Sequence, residues 1–452
     1  MKLKTLTTAM ILATVPMTGA FAAALDRSGQ SIAAFLQPGN YFEAGISILD
    51  PDVSGKDKAG TSTGDMAGDY YFPSAALKLQ VTDNFSFGLL YDQPFGADAE
   101  YSGNNLFTSN GTQTVLGNTL ANPDVTGGTK VEVDTQNLSF IFGFQPTENW
   151  NIYAGPVYQT VKGNVSLRGD IYSAFNGYDM QIKEDGDLGW LAGIAFQIPE
   201  IALKASLTYR SEIDHSVSAT ESIGLADNLG ALRDATLTSI GGPQNIPNLP
   251  PASQQQIGGL ILAANGLQSA NATPGKTTIT TPQSVNLDLQ SGIMENTVAF
   301  LNVRWVEWSD FSIRPYKFGI ASEAVSPLVS NPPGYAGGFN LVDYSDDQWS
   351  ATAGVGRKFS EQWAGNVSVG WDSGAGNPVS TLGPTEGYWN VGLGLQFSPT
   401  PSTFIAGGVK YFWLGDADAV TGAHSVPGMD ASAGKFEDNN AIAYGLKMGY
   451  RF

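Results

Sequence analysis

Basic residues recur among alternating apolar ones in five places: Lys78 in ALKLQ, Lys204 and Arg210 in LKASLTYR, Arg304 in NVRWVEW, Lys410 in VKYF and Lys447 in LKMG. Ammonium and guanidinium groups held on one face of a strand can receive a carboxylate through charge-assisted hydrogen bonds. Tyr153, Val157, Phe300 and Trp308 fall on the same faces by the same alternation, and such residues bury an apolar tail. The combination suits an amphiphile with an anionic head. A plainer reading is that these bases pair with inward acids, such as Glu43 and Asp92, or hold a polar network. Other chemistries find less. His215 lies near many serines, as a hydroxyl-activating base would, but no acidic partner or oxyanion motif accompanies it. Acidic clusters at Glu184, Asp185 and Asp187, at Asp343, Asp346 and Asp347, and at Asp416 and Asp418 lack the spacing of a calcium loop and are expected in loops. There are no cysteines, which excludes disulfides, thiolate metal sites and Cys nucleophiles, and His215 and His424 are too far apart to suggest zinc. No enzyme activity, cofactor or metal is expected. A net charge of -19 argues against nucleic acid as a partner.

Placing those side chains on one inner surface requires many strands. Period-two alternation gives about fourteen candidates, near 41–49, 72–81, 85–93, 130–144, 149–163, 178–197, 202–214, 283–291, 297–309, 346–357, 363–372, 387–397, 403–413 and 440–452. Short connections such as Thr82-Asp83-Asn84, IPE at 198–200 and SPTPS at 398–402 alternate with long ones. The expected fold is all-β: a transmembrane antiparallel barrel with short periplasmic turns and long extracellular loops. Closure pairs every backbone amide where no water is available. Trp150, Trp190, Trp363, Trp371, Trp389 and Trp413 near strand ends suit interfacial girdles.

The N-terminus, with Lys2 and Lys4, a short apolar run and Ala20-Phe21-Ala22, reads as a signal peptide over 1–22. Residues 23–40 then form a short plug, and 41–452 the barrel. The longest connection, 215–282, carries two helical patterns, Leu225, Leu229 and Leu232, and Ile257, Leu260, Ile261 and Ala264. These either offer an apolar capture surface or cap the mouth by packing on one another. Pro94 and Gly96 should kink or end strand three, because proline cannot donate a ladder bond. The last stretch, AIAYGLKMGYRF, should pair with the first strand and turn Ile442 through Phe452 to lipid, leaving Lys447 inward.

ILDPDVSG (48–55), DYYFPSAALKLQVTDNFSFGLLYDQPFG (69–96), VDTQNLSFIFGFQPTENWNIYAGP (133–156), GDLGWLAGIAF (186–196), LTYRSEI (207–213) and NVRWVEWSDF (302–311) together resemble the FadL family of outer-membrane long-chain fatty acid transporters, whose relatives import aromatic hydrocarbons. The resemblance implies a monomeric fourteen-stranded barrel in outer-membrane lipid and lipopolysaccharide, and the terminal aromatic with alternate apolar residues resembles the signal by which the barrel-assembly machinery recognises its clients. It also implies loop capture of a hydrophobic ligand, an inner pocket with basic residues, and lateral release at a kink in strand three. The best-matched positions are Tyr209 to Ser211 and Arg304 to Ser309. Family members begin with a longer hatch bearing an Asn-Pro-Ala motif. Here only ALDRSGQSIAAFLQPGN, from Ala24 to Asn40, precedes strand one, and that motif is absent. Passive uptake of a hydrophobic or amphipathic molecule, most plausibly a fatty acid, is the leading expectation; a general porin for polar solutes is the alternative.

Overall fold

In the computed structural model, which describes residues 25–112, 114–115, 120–121, 125–273 and 275–452, fourteen antiparallel strands close on themselves. The signal peptide expected over 1–22 lies outside the described residues, as do residues 23 and 24 of the expected plug. The strands are β1 (Tyr41–Asp52), β2 (Tyr70–Gln80), β3 (Phe85–Asp92), β4 (Lys130–Thr147), β5 (Trp150–Leu167), β6 (Tyr178–Ile198), β7 (Leu203–Arg210), β8 (Ser284–Met294), β9 (Thr297–Val306), β10 (Gln348–Lys358), β11 (Trp363–Asp372), β12 (Tyr388–Thr400), β13 (Thr403–Leu414) and β14 (Asn440–Arg451). Each pairs with its sequence neighbours, and β14 pairs with β1 from Tyr41 opposite Arg451 to Asp52 opposite Asn440, which closes the seam.

Alternation decides the faces. On β14, Tyr444, Leu446, Met448 and Tyr450 are exposed, whereas Ala443 and Lys447 are buried. Outward Phe142, Ile152, Val367, Leu393 and Ile405 continue that apolar surface round the wall. In water it would be an aggregation surface; in a bilayer it is the solvated one. Among the described residues no helix is long and apolar enough to cross a membrane, so the strands do the crossing.

Two strands depart from simple hairpins. β3 stops at Asp92 and pairing with β4 resumes over Gly96–Glu100, opposite Lys130–Asp134. β7 stops at Arg210, earlier than expected, because Ser211 takes over: its Oγ accepts the Trp190 N–H (3.0 Å) and its own N–H donates to the Trp190 carbonyl (3.0 Å). The chain continues as a strand, Ile213–Ile223, paired with Lys276–Thr281 and with the start of β6. The stretch 215–282 is therefore not wholly a loop, and its helices are not short. α1 (Gly224–Ser239) buries Leu225 and Leu229, and α2 (Pro251–Ala272) buries Ala264, Leu267 and Ala270. They pack on each other, and α2 also meets α3 (Tyr316–Val329). Glu184, Asp185 and Asp187 likewise belong to β6, beside a register shift at Val161–Gly163 of β5, rather than to a loop.

A second sheet covers the extracellular end: Val379–Ser380, Ala417–Val420, Ser432–Phe436, Ser54–Asp57 and Ser62–Asp65. Beneath it lies the larger apolar cluster of the molecule. A smaller one surrounds Phe35 and Tyr153 in the periplasmic half.

Candidate ligand-binding site

The N-terminal segment, Leu25 to Asn40, runs inside the barrel. At the periplasmic end the Gln80 N–H donates to Asn40 Oδ1 (2.8 Å) and the Phe452 N–H to the Asn40 carbonyl (3.2 Å). Further in, Ile32, Ala34, Phe35 and Leu36 are buried with Tyr153, Val157 and Leu191. Phe35 stands edge-on to Tyr153, ring centroids 5.6 Å apart. Its ring occupies a hollow left by two glycines: a Cβ at Gly88 would lie 2.4 Å from it and one at Gly143 2.8 Å.

A segment without a ladder must find partners for its carbonyls elsewhere. Three of the basic residues singled out from the sequence supply them, and Arg304 holds the segment by its side chains. Lys78 Nζ donates to the Gln37 carbonyl (2.8 Å) and to Gln80 Oε1 (2.7 Å), and Lys204 Nζ to the Leu36 carbonyl (3.1 Å). The Arg210 guanidinium donates to the Gln30 carbonyl at 2.7 Å. Arg304, 3% exposed, forms an ion pair with Asp26, 1% exposed, at 2.7 Å, and also donates to Gln30 Oε1 (3.1 Å) and Asn286 Oδ1 (2.7 Å). Asn286 in turn donates to the Gly29 carbonyl, and Ser28 donates to Asp92. A belt of polar and charged contacts thus crosses the lumen at the level of Asp26 to Gln30.

Above the belt the segment meets the interruption in strand three. The Arg27 N–H donates to the Pro94 carbonyl (2.6 Å) and the Gly96 N–H to the Leu25 carbonyl (2.8 Å), while the Thr135 hydroxyl and N–H both donate to the Phe95 carbonyl. Pro94 has no N–H to offer β4, so the wall breaks there and the segment takes the place of a strand. Phe95 turns inward, edge-on to Trp308 at 5.5 Å.

Two hollows result. The upper is a cavity of about 80 Å³, almost wholly apolar, with Met66, Phe95, Val131, Ile182, Trp308 and Phe311 in its lining. Arg27 also lines it; its guanidinium lies 4.7 Å from the centre of the Tyr70 ring. Burial holds the phenol of Tyr344, in the same lining, above its usual range, so it stays neutral. The lower hollow, about 250 Å³, lies beside the segment and has a mixed lining, in which Leu90, Phe300 and Leu393 stand among Ser206, Asn302, Asn366 and Lys410.

The candidate residues are therefore divided. Trp308 lines the apolar cavity. Phe300, Lys204 and Arg210 line the lower hollow. Tyr153 and Val157 pack with Phe35, while Arg304 and Lys78 hold the segment. Acids missed in the lumen are Asp26, Asp288 and Asp372, and the missed base is Arg27. The clue available was a pair of adjacent charges, Asp26-Arg27, in an otherwise small and apolar stretch. His215 bonds through Nε2 to Gln159 Oε1 (3.0 Å), and burial pushes its pKa down, so the imidazole is neutral and tied to an amide rather than to a serine.

A lipid-facing fourteen-stranded barrel with an apolar chamber behind an internal plug is an outer-membrane transport channel. The chain belongs to the outer membrane protein transport family (OMPP1/FadL/TodX), whose model matches residues 22–452. Its members are channels, not enzymes. Among solved structures it is similar to a Pseudomonas aeruginosa FadL homologue (15% identity, TM-score 0.63, covering 96% of this chain and 94% of that one). It is also similar to the P. putida toluene transporter TodX (11%, 0.55, 97% and 93%) and the Ralstonia pickettii toluene transporter TbuX (12%, 0.52, 92% and 90%). No curated protein sequence matches it.

Proposed function

We propose that this family member admits hydrophobic or amphipathic small molecules by passive uptake, with long-chain fatty acids as the favoured cargo. The observation that carries this is the apolar cavity inside the lumen, closed below by the belt around Asp26 and Arg304. An apolar molecule gains roughly 25 cal/mol per Å² buried there, and a polar solute gains nothing. In this reading α1 and α2 take up cargo at the surface, where Leu262 is 77% exposed. The break at Pro94 and Gly96 is the way out into the membrane. The channel works as a monomer, and its closed barrel needs no partner strand to satisfy an edge. After export on the signal peptide over 1–22, β14, with Phe452 just beyond it, is the strand offered to the barrel-assembly machinery, and the finished wall meets outer-membrane lipid and lipopolysaccharide.

The test is fatty-acid uptake by cells that depend on this protein. Ile182→Asp puts an unpaired charge into the cavity lining and should lower uptake about tenfold or more, with the folded barrel present in normal amount. Undiminished uptake would place the route elsewhere. The lower hollow favours a second reading, a porin for polar solutes, since it is the larger of the two and has more polar groups in its lining.

A further inference from the structure

The apolar cavity is walled in part by ladder-paired strands, residues 131–135 of β4 opposite residues 161–165 of β5. Towards the extracellular sheet its lining is of another kind. There Ser380, Leu382, Gly383, Pro384 and Thr385 close it, at the tip of the connection that leaves β11 at Asp372 and enters β12 at Tyr388. The tip is a turn bonded to itself: the Leu382 N–H donates to Ser380 Oγ (3.2 Å), the Gly383 N–H to the Ser380 carbonyl (3.1 Å) and the Thr385 N–H to the Gly383 carbonyl (2.8 Å). It can therefore move as one piece. Gly383 is exposed although it lines the cavity, and a Cβ there would meet nothing within 4 Å, so the cover is thin at that point.

The attachments of this turn to other elements are slight and converge. Val379 and Ser380 pair with Ala419 and Val420 at one edge of the extracellular sheet, in a strand two residues long where the others have four or five. Three hydrogen bonds then meet on Thr381, which is 1% exposed: its N–H donates to the Val420 carbonyl (3.1 Å), its carbonyl accepts the Tyr101 hydroxyl (2.7 Å), and its Oγ1 accepts the Tyr172 hydroxyl (3.0 Å). Each such bond is modest in net terms, so the closed position is favoured without being fixed.

We propose that the turn over 380–385 is the lid beneath which cargo enters the apolar cavity, and that Thr381 is its latch. The proposal rests on the uptake reading above and adds to it the point of entry and what holds that point shut. Leu382 and Pro384 give the lid an apolar underside, and an apolar cargo molecule replaces that contact with its own as the turn lifts. A polar solute offers no such exchange, so the lid stays down against it.

The experiment uses cells that depend on the full-length protein, supplied with hexadecanoate. The chain has no cysteine, so Ser380→Cys with Val420→Cys places a single disulfide between the lid and the neighbouring strand. Oxidised, this variant should take up hexadecanoate at least about tenfold more slowly than after reduction in the same cells. The latch is tested separately, with Leu382→Cys as a buried reporter: adding Tyr101→Phe and Tyr172→Phe should let a polar maleimide label it about tenfold faster. Heat-modifiable migration on gels reports whether each barrel is folded. Uptake equally fast in the oxidised and reduced states would overturn the lid as the point of entry. Labelling unmoved by loss of both hydroxyls would overturn Thr381 as the latch. Failure of the purified wild-type protein to bind hexadecanoate in detergent would instead overturn the uptake reading, and the lid's part in entry with it.

Discussion

Arg304 shows what a single residue discloses and what it withholds. Its inward direction follows from the alternation of NVRWVEW, since a strand has only two faces. Its partner does not follow, because Asp26 lies in a stretch with no periodicity and meets Arg304 only once the barrel has closed around it. The same holds for Lys78, Lys204 and Arg210, whose faces were legible and whose acceptors, backbone carbonyls of the N-terminal segment, were not. A buried pair is weak as a source of stability but costly to break, about 3–5 kcal/mol when one partner is removed. Asp26→Ala should therefore release the segment while the wall stays intact. Limited proteolysis of the purified protein would then cut near residues 25–37 much faster than in the wild type. The double variant Asp26→Ala, Arg304→Met leaves no buried charge unpaired, and its cleavage rate should return most of the way. Equal cleavage in wild type and single variant would mean that the pair does not hold the segment.

Elements were more legible than contacts. The fourteen strands could be found because each must alternate to face lipid on one side and the lumen on the other, and their order follows from short turns. The interruption of strand three was visible in Pro94. The extension of β7 into Ile213–Ile223 was not, because it depends on Ser211 bonding to Trp190 across the sheet. Least legible was the N-terminal segment, whose fit depends on absence: Gly88 and Gly143 leave the space that Phe35 fills. Gly88→Val should close that space. Overpacking of this kind costs about 1–3 kcal/mol, enough to shift the segment strongly from its seat. The chain has no cysteine, so a single Ala34→Cys becomes a clean reporter of this buried stretch. Maleimide should label it at least about tenfold faster when Gly88→Val is present. Phe35→Ala should act alike by removing the ring itself. A labelling rate unaffected by either change would show that the segment is held without Phe35.

At the scale of the whole molecule, the question is whether half a lumen counts as a pore. A barrel of this strand number lies between small barrels filled by side chains and porins that enclose an aqueous channel. Its interior must therefore be filled by something else or conduct. Here a plug of some sixteen residues from Leu25 to Asn40 covers one side, the lower hollow remains on the other, and the apolar cavity lies above the belt. An ion crossing the barrel would have to pass through the apolar chamber, where desolvation opposes it, and then past the belt around the Asp26–Arg304 pair. The sequence pointed to a short plug but left open whether it closes the lumen, since closure depends on where the belt falls relative to the apolar chamber. In planar bilayers the wild-type protein should show little steady conductance. Asp26→Ala combined with Phe35→Ala removes both the charged and the apolar anchor of the segment and should raise conductance several-fold, with larger polar solutes beginning to pass. Conductance as large in the wild type as in the double variant would mean that water already runs through the molecule, and the porin reading would then displace the uptake of hydrophobic cargo.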